Sequence, residues 1–214
     1  KYVIIADPMF TAQLTPFIEW KTQQGYQVIV QYKGDAAVGS TKESIKAYLQ
    51  GLWNAATPTD PAPTYLLFVA DHGQIPAWNA QASPTGHITD LTYVRLEGTD
   101  FLPELYYGRF SANNANELQP QIDKTLYYEK YQFADPSYLA NQILIAGVDG
   151  TYGATHANGQ INYITTHYAT AANGINPLVH LYPNSGSQDA AIVAETSQGA
   201  GWINYTAHGS ETSW

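Results

Sequence analysis

Two residues of this chain have the types and positions to move a proton between partners, His208 and Asp149. His208 follows the apolar, β-prone run Trp202-Ile203-Asn204-Tyr205-Thr206 and precedes Gly209, so the pattern predicts an imidazole at the carboxyl end of a buried strand. Open α/β sheets gather their chemistry at that edge, and a glycine beside the ring lets another backbone come close. An imidazole there suits a proton carrier between a nucleophile and a leaving group, although a hydrogen-bonded structural histidine would have the same surroundings. Asp149 follows the apolar run 143–147 in the same way. Its carboxylate can orient an imidazole through the second ring nitrogen and stabilise the imidazolium, and an Asx turn or helix cap is the simple alternative. A second concentration of charge lies in residues 97–104, EGTDFLPE, where Glu97, Asp100 and Glu104 stand on one glycine-containing turn. Hard oxygen ligands on a tight turn are what Ca²⁺ takes, with Asp71 as a fourth carboxylate if its strand end is a neighbour; a solvated acidic loop is the alternative.

The 214 residues contain no cysteine, which removes disulfides, thiolate metal sites and a thiol nucleophile within them. A hydroxyl nucleophile is poorly served as well: Ser210 is too close in sequence to His208 to bond its ring comfortably, and no GxSxG elbow occurs. His72, His87, His156, His167 and His180 lack the paired helical spacing of zinc peptidases. His72 and His156 fall on loops near the active edge, and the others read as surface or hydrogen-bonding residues. Nine Lys and Arg against 18 Asp and Glu give a formal charge of −9, and every basic residue precedes Pro136. No basic patch is available for phosphates, which argues against nucleic acid and anionic membranes. Nothing approaches an apolar span of about 20 residues, so no membrane span is expected.

The elements that must position these residues follow a βαβαβ pattern, given twice. Residues 1–6 read as a strand buried on both faces, 11–24 as a helix with Pro16 in its first turn and Gly25 as its C-terminal cap, and 26–32 as a second strand. Ser40 and Glu43 have capping-box spacing before a helix with Ile45, Tyr48, Leu49 and Leu52 on its buried stripe. A proline-rich link leads to a strand over 65–69 that ends at Asp71, and residues up to Thr89 read as an irregular excursion. A strand over 105–110 and a helix over 117–131, capped by Asn114 or Asn116 and burying Leu118, Ile122, Leu126 and Tyr127, complete the first part. The break at 134–137 predicts two subdomains, 1–136 and 137–214. The second holds a strand over 143–147, a loop over 151–158, a helix over 160–172, a strand over 178–182, a short helix from Ser187 or Asp189 to Glu195, and the strand before His208.

The string Asn204-Tyr205-Thr206-Ala207-His208-Gly209-Ser210-Glu211-Thr212 resembles the catalytic-histidine segment of the gingipains, a family of caspase-like cysteine peptidases. The resemblance extends through residues 145–149, 101–104 and 17–21, and is strongest to the lysine-specific members. It implies a caspase-like three-layer α/β/α fold with mostly parallel sheets, the second subdomain incomplete. It implies a cysteine endopeptidase in which His208 is the general acid/base, Asp149 its partner, Gly209 an oxyanion donor, and a cysteine beyond Trp214 the nucleophile. Thr206 and Tyr152 would line the pocket for the residue before the scissile bond. Asn162 stands close to the aspartate of the arginine-specific members, so a preference for a basic residue does not follow. A structural Ca²⁺ is implied at Asp71, Asp100, the carbonyl of Leu102 and Glu104, with Glu97 at the position of a family aspartate. The implied partners are a protein or peptide substrate and the carboxyl-terminal remainder of the catalytic domain, and the implied location is secreted or on the surface of a bacterium. A sortase-type transpeptidase and a non-enzymatic α/β binding module are the alternatives.

Overall fold

The computed structural model describes residues 1–80 and 87–209. The chain divides into two compact units, Lys1–Gln132 and Phe133–Trp214, and both are parallel α/β, as expected.

The first unit runs β1 (Tyr2–Ala6), α1 (Thr11–Gln23), β2 (Val28–Tyr32), α2 (Lys42–Asn54), β3 (Tyr65–Val69), the short strands β4 (Trp78–Asn79) and β5 (Ile88–Thr89), α3 (Leu91–Val94), β6 (Tyr106–Phe110) and α4 (Ala115–Glu129). Four strands form one parallel sheet in the order β2-β1-β3-β6, while β4 and β5 pair antiparallel within the segment expected to be irregular. The central strands are β1 and β3, and their apolar runs are buried almost throughout, as strands covered on both faces must be. Leu14, Phe17, Ile45, Leu49, Leu118 and Ile122 complete this core from the helices. Tyr127 is exposed instead of core-facing, because Leu118, Ile122 and Leu126 already define the buried stripe of α4.

Helix entry also departs from expectation in two places. The 3₁₀ turn Pro8–Phe10, capped by the Asp7 carboxylate accepting from the Met9 N–H, feeds directly into α1. Pro16 therefore lies in the second turn, where it withholds a donor from the carbonyl of Ala12. The capping box of α2 is Thr41 with Ser44, one residue beyond the expected pair: each side chain accepts from the other's backbone N–H at 3.1 Å. Asn114 caps α4, accepting from the N–H groups of Asn116 and Glu117. Lys21 on α1 is buried and donates to both carboxylate oxygens of Glu129 on α4 at 2.6 and 2.7 Å, while Trp20 Nε1 donates to the same carboxylate at 2.8 Å.

The second unit runs β7 (Asn141–Ala146), α5 (Asn158–His167), β8 (Asn176–His180), α6 (Asp189–Gln198) and β9 (Trp202–Thr206), in a parallel sheet ordered β8-β7-β9. Leu144 and Ala146 face α5 and pack with Ala157 and Ile161, so Ile145 faces the other way, toward α6. Residues 153–157, expected as a loop, form a π-helical turn that leads straight into α5, and the helix ends at His167, earlier than expected. Within the described residues β9 is less buried than the apolar run predicts. Among them it is an edge strand, as β8 is on the other side of β7, and Trp202 and Ile203 are exposed.

Candidate catalytic site

β7 and β9 are hydrogen-bonded neighbours running in the same direction, with Ala146 opposite Thr206. Their carboxyl ends therefore emerge side by side, and the residues that follow, Gly147 to Asp149 and Ala207 to Gly209, meet without a long connection. Gly147 makes that approach possible. Its N–H donates to the Thr206 carbonyl at 3.1 Å, and a Cβ built on it would stand 2.3 Å from the Ala207 Cβ and 2.8 Å from the Tyr205 hydroxyl. Only a residue without a side chain fits between the two strand ends. In the sequence nothing marks Gly147, because an isolated glycine after an apolar run reads simply as a strand terminator.

The two residues singled out for proton transfer are in contact. His208 Nε2 lies 2.9 Å from Asp149 Oδ2. The other oxygen of Asp149, Oδ1, accepts from the backbone N–H groups of Thr151 and Tyr152, both at 2.8 Å. The Asx-turn alternative and the imidazole-orienting role thus coexist on one carboxylate, each using its own oxygen. The N–H bonds from Tyr152 and then Thr151 hold the Asp149 carboxyl below its ordinary range, with the His208 ring adding to the effect and partial desolvation opposing it. An anionic Asp149 favours the tautomer with its proton on Nε2, which leaves Nδ1 as the ring's acceptor nitrogen. His208 is anchored through its backbone, whose carbonyl accepts from the Tyr205 hydroxyl at 2.9 Å, while its side chain is 85% exposed.

Thr206 sits level with Ala146 and therefore on the α5 face, where its hydroxyl donates to Gln160 Oε1 at 2.8 Å and accepts from Asn204 Nδ2 at 3.0 Å. Gln160 was not singled out from the sequence, since a polar residue in the first turns of an amphipathic helix carries no distinguishing signal. Tyr152 is exposed, with its ring edge-on to His156 at 5.1 Å between centroids. Gly209 is exposed beside the histidine; residues 210–214, with the rest of the histidine motif, lie outside the described residues. His180 is buried between Gln188 Oε1 at 3.0 Å and Glu195 Oε2 at 2.7 Å, and so fastens α6 to the end of β8.

The five residues expected around calcium do not form one site. Residues 97–104 precede β6, whereas Asp71 follows β3, and the parallel register pairs Tyr65 with Tyr106. Glu104 thus precedes the first paired residues of these two strands, whereas Asp71 follows the last pair, Val69 with Phe110. The condition that the two loops be neighbours fails because both strands point the same way. Asp71 Oδ1 instead accepts from the His72 N–H at 2.7 Å and from the Ser111 hydroxyl at 2.9 Å. Glu104 accepts from the Leu96 N–H, and Asp100 from the Leu102 N–H at 2.9 Å. Glu97 and the backbone of Leu102 stand on the exposed part of the same loop. Among the described residues no three acidic or histidine side chains converge on a cation position.

Comparison with known proteins agrees with this architecture. The model of peptidase family C25 matches residues 1–214. Over 214 residues the chain is 36% identical to Lys-gingipain of Porphyromonas gingivalis, covering all of this chain and 12% of that protein. It is 27% identical to Gingipain R2 of the same species, covering 28% of that protein. Among solved structures, the Arg-specific cysteine proteinase gingipain R superposes with a TM-score of 0.83 at 27% identity, over all of this chain and 48% of the other. A structure described only as a protease superposes with a TM-score of 0.86 at 34% identity, over 46% of its chain. The chain thus spans well under half the length of these curated relatives.

Proposed function

This chain belongs to peptidase family C25, and on that premise we propose that it supplies the histidine–aspartate half of a cysteine endopeptidase site. The observation that carries the proposal is the 2.9 Å contact between His208 Nε2 and an Asp149 carboxylate fixed by two backbone N–H groups. The nucleophile is a cysteine on a segment outside residues 1–214. Nδ1 of His208 takes the thiol proton as the sulfur attacks the peptide carbonyl, and returns it to the leaving amine when the C–N bond breaks. Water then hydrolyses the thioester, with the same nitrogen as base. Asp149 remains an anion throughout, holds the ring through Nε2 and stabilises the imidazolium. The Gly209 N–H serves the oxyanion from this chain, and Thr206 and Tyr152 line the pocket for the residue before the scissile bond.

The substrate is a protein or peptide, the remaining part of the catalytic domain is the obligatory partner, and the site of action is outside a bacterial cell. No described helix is long and apolar enough to cross a membrane. Cleavage of a fluorogenic peptide by the full-length protein tests the reading. His208→Ala is expected to lower kcat/KM by at least about 10³-fold with an unchanged melting temperature; turnover retained in that variant would remove the assignment. Calcium is a separate proposal, confined to Glu97, Asp100, the Leu102 carbonyl and Glu104. The donor types suit the ion, but the loop would have to turn Glu97 and Asp100 toward Glu104 to hold it. A melting temperature that falls on chelation in wild type, but not in Asp100→Asn, supports that site, and an unchanged one removes it.

A further inference from the structure

The carbonyl of His208 and the N–H of Gly209 are the two ends of one peptide group. A trans peptide is planar, so its C=O and N–H point in opposite directions and turn together. Whatever holds the His208 oxygen therefore aims the Gly209 hydrogen. The holder is Tyr205, whose hydroxyl donates to that oxygen at 2.9 Å. β9 ends at Thr206, so the His208 carbonyl lies beyond the strand ladder, and satisfying it is one use of the bond. The bond does more than that, because glycine at 209 has the freest backbone of any residue and does nothing to keep the 208–209 plane from turning over. The ring that carries the hydroxyl is itself held in place. Register with Ile145 puts Tyr205 on the sheet face opposite Thr206, and its ring edge lies across Gly147: a Cβ on that glycine would stand 3.0 Å from Tyr205 Cε2 and 2.8 Å from the hydroxyl. The bare backbone of Gly147 thus leaves the tyrosine room to reach past the strand end.

We propose that Tyr205 is a positioning residue for the oxyanion donor: its hydroxyl fixes the 208–209 peptide plane so that the Gly209 N–H points away from the tyrosine and at the oxygen of the scissile carbonyl. The inference rests on the peptidase reading with Gly209 as donor, and adds the group that orients that donor. Tyr205 touches neither substrate nor nucleophile in this role and acts only through the peptide group. The Gly209 N–H itself donates to no described residue, as a group kept for a developing charge must not. The same bond polarises the peptide, since a carbonyl that accepts a hydrogen bond makes its N–H a stronger donor. Without the hydroxyl the plane can turn about the two single bonds that flank it, and the N–H leaves the direction in which charge develops. The His208 ring is held separately, by Asp149 at 2.9 Å. Loss of the hydroxyl therefore weakens stabilisation of the tetrahedral intermediate and leaves the reactivity of the thiol in place.

The test compares the full-length wild-type protein with Tyr205→Phe, which keeps the ring and removes only the donor. The readouts are kcat and KM on a fluorogenic peptide, the rate at which iodoacetamide alkylates the nucleophilic cysteine, and inhibition by a peptide aldehyde. Alkylation displaces iodide from a saturated carbon, so it reports the thiolate prepared by His208 and forms no oxyanion. The aldehyde takes the sulfur at its carbonyl carbon and leaves its oxygen in the oxyanion position. In Tyr205→Phe, kcat and aldehyde affinity should each fall about tenfold, while KM and the alkylation rate stay within about twofold of wild type. Replacing Tyr205 by 4-aminophenylalanine, which returns an N–H donor to the end of the ring, should recover most of kcat. An unchanged kcat in Tyr205→Phe, an alkylation rate that falls as far as kcat, or no recovery with 4-aminophenylalanine would overturn the proposal. A cysteine alkylated equally fast in wild type and in His208→Ala would overturn the peptidase reading, and the positioning role with it.

Discussion

Replacing Gly147 by alanine is the most informative single change, because it adds one methyl group at the point where the two strand ends meet. Ordinary carbon–carbon contacts lie at about 3.5–4.0 Å. The new Cβ would be 2.3 Å from the Ala207 Cβ and 2.8 Å from the Tyr205 hydroxyl, so the strand ends must part by more than about 1 Å. The Ala207 Cβ is fixed to the backbone and cannot rotate away. Overpacking of this kind costs about 1–3 kcal/mol. The same displacement stretches the 2.9 Å contact between His208 and Asp149 beyond hydrogen-bonding range, and a misplacement of about 1 Å typically lowers turnover by about 10²-fold. The assay is a denaturant melt together with kcat/KM on a peptide substrate, for the full-length protein carrying Gly147→Ala alone and with Ala207→Gly. The double variant removes the closest of the contacts and should regain a large part of both losses. Full stability and full activity in Gly147→Ala would refute the claim that close approach of these two turns assembles the pair.

Three further changes probe other parts of the same account. Asp149→Asn, which keeps an acceptor for the Thr151 and Tyr152 N–H groups but removes the charge behind the ring, should lower kcat/KM by about 10²-fold or more with little change in melting temperature; an undiminished rate would leave Asp149 a turn residue only. The Asp71 carboxyl is lowered from 3.8 to about 2, first by the His72 N–H and then by the Ser111 hydroxyl. The folded state therefore binds its proton less readily than the unfolded state, so the stabilisation is present above about pH 4 and is lost as pH falls toward 2. Asp71→Asn should be less stable than wild type by at most about 2 kcal/mol at pH 6, with the difference closing below pH 3, and a gap independent of pH would contradict this. Glu129→Ala strands the buried Lys21 ammonium and should cost about 3 kcal/mol, whereas Lys21→Met with Glu129→Met should be near neutral; a harmless Glu129→Ala would show that the pair does not tie α1 to α4.

What could be read in the sequence follows from which interactions are local. The apolar runs of β1, β3 and β7 announce strands because a strand covered on both faces has no polar side to show, and the buried stripes of α2 and α4 follow from helical spacing. His208 and Asp149 were each legible as the residue that ends an apolar strand, and the family resemblance paired them; that their strands are parallel neighbours is a relation only the sheet supplies. The misreadings come from relations that only the sheet defines. Asp71 and Glu104 carry the right chemistry for one cation, yet one follows its strand and the other precedes its strand, and the parallel register holds them apart. β9 looks buried by composition, but its exposure depends on what flanks it in the sheet. Gly147 and Gln160 were invisible because their importance lies in what touches them, Ala207 in one case and Thr206 in the other. The hydroxyl of Tyr205 is of the same kind, since no string of residues reveals which carbonyl it reaches.

The central claim, that His208 and Asp149 serve a cysteine lying outside residues 1–214, is tested most directly by reacting the native full-length protein with a peptidyl acyloxymethyl ketone and mapping the modified residue by mass spectrometry. The account predicts one modified cysteine downstream of Trp214, with labelling abolished in His208→Ala and slowed in Asp149→Asn. Labelling that is equally fast in His208→Ala, or no labelled cysteine in a folded wild-type protein, would contradict it.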